Sequence, residues 1–88
     1  MREPYFAPNG DEYRYEGEWY GLSIGRPVKA TQPVYVRSLR RELDINGWTL
    51  MSVCKRASGR VMVTVIDDVL GYFVTVERSL VTQNFKEE

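Results

Sequence analysis

The side chains that most often do chemistry in proteins are scarce in this sequence. Histidine is absent from the 88 residues, and cysteine occurs once, at Cys54. Histidine is the commonest general base and metal ligand, and one cysteine does not complete a zinc site with carboxylates at this spacing. The only candidate base beside Cys54 is Lys55, which would point to the opposite face of a strand, so we interpret the thiol as a buried core side chain. The sequence therefore predicts no catalytic residue, no metal site and no cofactor, and hence no enzyme.

Two further patterns resemble chemical motifs and are better explained by structure. Asp67 and Asp68 are adjacent carboxylates, but a glycine follows them shortly and such pairs usually form turns. Glycines recur at positions 17, 21 and 25. A phosphate-binding loop would need a following Lys-Ser or Lys-Thr and a strand-to-helix context, and neither is present.

Basic residues form the strongest positive signal. A turn at Ala57-Ser58-Gly59 would place basic side chains close together at a hairpin tip, and a second basic group lies upstream. Phosphate contacts use such side chains, and rings such as Trp19 or Tyr35 could stack on bases. The candidate anion or nucleic-acid contacts are Arg37, Arg40, Arg41, Lys55, Arg56 and Arg60.

Charge is unevenly distributed although the formal net charge is zero. Residues 1–19 carry two basic and five acidic side chains, 2 − 5 = −3, and residues 61–88 also give 2 − 5 = −3. Residues 20–60 give 8 − 2 = +6. Either the acidic ends fold back on the basic middle or an acidic partner meets it, and the sequence leaves both open.

Three apolar strands separated by short turns dominate the second half of the chain, at residues 48–56, 60–66 and 72–77. Residues 19–24 and 28–36 are weaker strand candidates, and Pro33 would interrupt the second. Alternation places Trp48 and Leu50 on the core face. It leaves an opposite face that is half apolar and needs a cover: Met51, Val53, Met62, Ile66 and Phe73.

Residues 38–46 are the one helix candidate. Ser38 suits the N-cap, Leu39 and Leu43 lie on one helical face, and Asn46-Gly47 suits the C-cap. The competing interpretation is a hairpin turn at Asn46-Gly47. We expect an α+β fold: a mainly antiparallel sheet of four or five strands with one short helix on one face. The alternative is an all-β small barrel, which the hairpin would favour and which is loosely similar to the SH3-like type.

The expected organisation is one compact domain over residues 19–81. Residues 1–18 lack a helical or alternating period, so we expect an irregular, acidic arm. Its many aromatic rings indicate that part of the arm packs against the domain or against a partner. Residues 82–88 predict a polar tail that frays. The lone cysteine, the absence of a charged-then-apolar leader and the lack of an apolar run near ~20 residues favour a cytoplasmic location without a membrane.

Three functional hypotheses follow. The first is a non-enzymatic binding or regulatory domain that contacts a protein, either another chain or a second copy of itself; its candidate contacts are Trp19, Tyr20, Met51, Met62 and Phe73. The second is nucleic-acid binding through the basic hairpin tip and the patch at residues 37–41. The third is a small inhibitor, of the kind that phages encode, that occupies the nucleic-acid groove of a host machine.

Overall fold

Antiparallel strands make up nearly all of the regular structure in residues 4–83, the part of the chain that the computed structural model describes. Eleven strands occur there: β1 (Tyr5–Phe6), β2 (Glu12–Arg14), β3 (Glu18–Trp19), β4 (Leu22–Ser23), β5 (Pro27–Ala30), β6 (Val34–Val36), β7 (Arg41–Leu43), β8 (Asn46–Lys55), β9 (Val61–Ile66), β10 (Phe73–Glu77) and β11 (Val81–Thr82). The one helical element within residues 4–83 is a 3-10 turn, Arg78–Leu80.

The long strand β8 joins the parts of the main sheet. Its edge toward β9 is paired along residues 49–55, and β9 in turn pairs with β10. Its other edge is shared by β5, which pairs with the first half of β8, and β2, which pairs with the last three residues. Strands β1 and β11 extend these two branches, so seven of the strands in residues 4–83 form one sheet, while β3–β4 and β6–β7 are separate hairpins.

The core lies between the inner face of this sheet and the two hairpins. The sheet supplies most of the buried side chains, Leu22 of β4 and Ile45 complete them, and Val34 of β6 packs against the cluster. Full burial of such a side chain contributes about 1.5–3 kcal/mol, which is the main stabilising contribution in a chain this small. The buried cluster is Leu22, Val28, Ala30, Ile45, Leu50, Val53, Val63, Val65, Val76 and Val81.

Two irregularities in β8 change which residues face the core. The register with β9 shifts between Leu50 and Ser52, so Met51 is an extra residue there. The alternation consequently reverses: Leu50 and Val53 are both buried, whereas Val53 was expected on the opposite face. A second shift, against β5, occurs at Gly47, whose φ of 83° is readily adopted by glycine.

The α+β prediction is wrong, because the predicted helix at residues 38–46 is a turn and a strand. The backbone turns through residues 37–40, where Arg40 has φ of 55°, and Arg41–Leu43 then pairs with Val34–Val36. Helical propensity in Leu-Arg-Arg-Glu-Leu is overridden by this pairing, in which Leu43 lies opposite Val34 and both are half-buried. The competing turn at Asn46-Gly47 is absent as well, since both residues lie within β8.

The alternative, a closed SH3-like barrel, is correct only in its antiparallel strands. Within residues 4–83, β10 pairs with β9 alone and β6 with β7 alone, so the strands do not close into a barrel. The N-terminal arm, expected to be irregular, contributes β1 and β2 to the sheet. Most of the predicted polar tail lies outside the described residues. No helix within residues 4–83 is long and apolar enough to span a membrane.

Candidate functional site: a groove between two strand edges

A groove of about 300 Å³ lies between β6 and β10. Consecutive residues of two segments line it: 34–38, from β6 and the turn after it, and 73–75, from β10. We call it the edge groove. Each of its two strands has a neighbour on one side only within residues 4–83, so the groove runs between two strand edges that no other described strand covers.

The register of β10 determines which backbone groups point into the edge groove. The Asp67 amide donates to the Tyr72 carbonyl at 2.8 Å, which makes these two residues a hydrogen-bonded pair. Such pairs alternate along an antiparallel ladder, so Val74 and Val76 bond to β9. The amide and carbonyl groups of Phe73 and Thr75 therefore point away from β9, toward the groove.

Side-chain contacts agree with this register. In the close, non-hydrogen-bonded pairs of an antiparallel ladder the side chains approach each other most. The hydroxyls of Thr64 and Thr75, directly opposite in the register, are 2.9 Å apart. Thr75 is thus held by its hydroxyl on the outer face, while its backbone remains available at the edge.

Two exposed rings flank the groove. Tyr35 of β6 is 58% exposed and Phe73 of β10 is 66% exposed. Both alternate with buried or half-buried valines that anchor the strands, so the rings are presented by rigid backbone. An isolated exposed ring is common, but here two rings border the same unpaired backbone.

Three arginines occur where β6 leads into β7: Arg37 and Arg40 lie in the turn and Arg41 begins β7. We call Arg37, Arg40 and Arg41 the arginine turn. All three are exposed, and Arg37 lines the groove itself. None forms a salt bridge within residues 4–83, where the two salt bridges are Arg14–Glu12 and Arg60–Glu77. The arginine turn therefore carries positive charge without an anionic partner in the described chain.

The other predicted basic group, at the β8–β9 turn, is surrounded by carboxylates. Arg60 lies 3.6 Å from Glu77, and Lys55 is directly opposite Glu12 on β2. The Ala57 amide donates to the carboxylate of Asp11 at 2.9 Å, and Asp11 is only 5% exposed. A depression of about 410 Å³ lies there, but it includes this carboxylate, which makes it a poorer anion site than its arginines indicate.

The five predicted protein contacts do not form one surface. Met62 and Phe73 lie on the outer face of the main sheet, where Met62 is half-buried and opposite Cys54. Met51 is 44% exposed at the bulge. Trp19 packs against the core and carries the Arg14 guanidinium on its face at 3.6 Å, and Tyr20 is in the β3–β4 turn, where its carbonyl accepts from Arg78.

The contacts of Cys54, Asp67 and Asp68 stabilise the fold. Burial raises the pKa of the Cys54 thiol, and its hydrogen bond with Tyr13 in turn raises the pKa of that phenol. Asp67 caps its loop by accepting from the Val69 amide, and Asp68 accepts from the Thr49 hydroxyl. No group of three or more potential metal ligands occurs among residues 4–83.

Sequence reasoning missed the groove because it depends on which strands lack neighbours. The sequence shows Tyr35, Phe73 and the arginines, but it does not show that they lie close together in the fold. Pro33 was the available signal, since a proline before a short strand indicates a sheet edge.

Comparison of the chain with protein-family models, with curated proteins and with solved structures finds no match.

Proposed function

We propose that this protein is a non-enzymatic binding domain that takes up an extended segment of another protein in the edge groove. The observation that carries the proposal is the unpaired edge of β10, whose outward amides and carbonyls face a groove bordered by β6. Such edges recognise peptides by adding a strand: the main chain supplies affinity and side-chain pockets supply specificity.

The rings and the edge have complementary parts in this function. Phe73 and Thr75 offer backbone donors and acceptors at alternate positions, which is the pattern that an incoming strand requires. Tyr35 and Phe73 offer apolar area that costs little conformational entropy to order, as is typical of binding anchors. An edge left open in this way is also a hazard for aggregation, so a partner that covers it would remove a liability.

The test is selection of ligands from a random peptide library displayed against the protein, followed by mapping of the bound peptides by amide chemical shifts. We expect shifts concentrated at residues 34–38 and 73–77. The variant Thr75→Pro removes the outward amide and should weaken binding about tenfold or more, since 1.4 kcal/mol corresponds to a factor of ten.

Thr75→Ala is the matched control, because it removes the same hydroxyl but keeps the amide, and should retain most of the affinity. Phe73→Ala provides a second disruption that does not alter the backbone. Absence of selected binders, or binders that map to another surface and ignore both disruptive variants, would refute the proposed function.

A second candidate, binding of single-stranded nucleic acid, is favoured by one observation: the arginine turn adjoins Tyr35 and the edge groove. Cationic side chains beside rings suit a charged backbone with stacking bases. The neutral total charge and the carboxylates around the β8–β9 turn argue against nucleic-acid binding. Binding of an oligothymidine at low salt, abolished when the three arginines become glutamines, would support it.

A further inference from the structure

Among residues 4–83, the arginine turn is the strongly basic segment that reaches the edge groove. In the hairpin of residues 34–43 the three arginines face a single acidic residue, Glu42, giving 3 − 1 = +2. Glu42 and Arg41 lie on β7, opposite Tyr35 and Val36, so β6 separates both from the groove. Of the three arginines, Arg37 is the one that lines it. Asp44 follows β7 and forms no ion pair with the arginines.

The backbone holds this turn in a defined shape. The Val36 carbonyl accepts from the amides of Leu39 at 3.1 Å and Arg40 at 2.8 Å, and the Arg40 amide is also 3.2 Å from the Arg37 carbonyl. The arginines are thus anchored on an ordered turn at one end of β6. Ordering the backbone in advance lowers the entropic cost of binding.

The chemistry of these side chains selects an anionic partner. A guanidinium presents a planar fork of donors that matches a carboxylate with two parallel hydrogen bonds. A segment that added to β10 would run past Arg37, which lines the same groove. Acidic side chains in that segment would meet arginines that form no salt bridge within residues 4–83.

We infer that the segment bound in the edge groove is acidic: an extended apolar stretch bordered by Asp or Glu residues whose carboxylates contact Arg37, which lines the groove, while Arg40 and Arg41 add positive charge nearby in the sequence. This inference rests on the proposed function and adds the chemical class of the partner. The apolar part contacts Tyr35 and Phe73, and the carboxylates set the position of the segment along the groove. Charge complementarity also raises the association rate at low salt.

Two synthetic peptides test the inference. Both contain the same alternating Val-Thr stretch; one ends in three Asp residues and the other in three Asn residues. We expect the Asp peptide to bind the protein at least tenfold more tightly, equivalent to about 1.4 kcal/mol, with a difference that shrinks as salt is raised.

Two charge-matched variants locate the effect. The triple variant R37Q/R40Q/R41Q should lose the preference for the Asp peptide, whereas K55Q/R56Q/R60Q removes the same charge from the β8–β9 turn and should keep it. All six side chains are exposed, so both proteins should fold, which a thermal melt verifies.

Each other outcome counts against the acidic segment. Equal binding of the two peptides refutes it while leaving the edge groove as a peptide site, and so does failure of both to bind, because the library selection tests the groove independently. If K55Q/R56Q/R60Q loses the preference for the Asp peptide and R37Q/R40Q/R41Q keeps it, the anion site lies at the β8–β9 turn. Oligothymidine binding that depends on Arg37, Arg40 and Arg41, together with equal binding of the two peptides, assigns the arginine turn to nucleic acid.

Discussion

Proline substitution at neighbouring positions of β10 tests the register on which the edge groove depends. In that register the Val74 amide bonds to the Val65 carbonyl on β9, and the Thr75 amide points to the groove. Proline has no amide hydrogen, so it is tolerated where the amide faces outward and harmful where it belongs to the ladder. Thr75→Pro and Val74→Pro should therefore differ greatly although they are adjacent.

The magnitudes follow from the contacts that each change removes. Thr75→Pro loses the hydroxyl contact with Thr64, about 0.5–1.5 kcal/mol, and regains about 0.4–1 kcal/mol because the unfolded chain is more restricted. Its net effect should be below about 1 kcal/mol. Val74→Pro removes a ladder donor and leaves the Val65 carbonyl unsatisfied, which costs about 1–3 kcal/mol. The proline ring also fits the half-buried site of the valine poorly, which adds to the loss.

Urea unfolding monitored by tryptophan fluorescence measures both values, because Trp19 and Trp48 pack against the core. Thr75→Ala reports the hydroxyl alone and is the control for Thr75→Pro. If Thr75→Pro destabilised the protein as much as Val74→Pro, or if the order were reversed, the assignment of the outward amide would be wrong, and the edge groove would lose its main support.

Three other substitutions test features away from the groove. Asp11→Ala should lower the free energy of unfolding in urea by about 1–3 kcal/mol, because it leaves the Ala57 amide without its acceptor. Asp11→Asn keeps an oxygen at that position and should lower it by less. Equal losses in the two variants would show that the Ala57 hydrogen bond is not the cause. Arg40→Gly should raise the melting temperature, since glycine relieves the left-handed backbone at φ 55°, worth about 1 kcal/mol, while Arg41→Gly in the neighbouring strand should lower it. The raised pKa of Cys54 means that the unfolded chain loses this proton first, so stability should fall as pH rises above the ordinary value of 9.0. Cys54→Ala should flatten that fall in melting curves recorded above pH 9.0, and an unchanged slope would show that the thiol is not responsible.

Local pattern predicted the last strands well and failed where the sheet is irregular. Alternating β-branched residues predicted strands at 60–66 and 72–77, and the observed strands are Val61–Ile66 and Phe73–Glu77. The assignment of faces in β8 failed at Met51, because one extra residue reverses every later side chain and leaves no mark in the composition.

The error at residues 38–46 has a different origin. Helix propensity is a sum of local preferences, whereas the observed strand is selected by pairing with β6 and by a turn in which Arg40 adopts an unusual conformation. The groove was beyond prediction for a related reason. Its rings and arginines are evident in the sequence, but the open edge of β10 depends on strands that do not meet.

The shared use of β8 determines when the early strands can pair during synthesis. Arg14 pairs with Val53, and Val28 pairs with Trp48, so β2 and β5 emerge from the ribosome well before the strand that satisfies their backbones. Ala30 pairs with Val81, which is synthesised later still. Contacts so distant in sequence make folding slow, and the nascent chain exposes unpaired apolar segments meanwhile. The main sheet is therefore completed only after β11 has been synthesised.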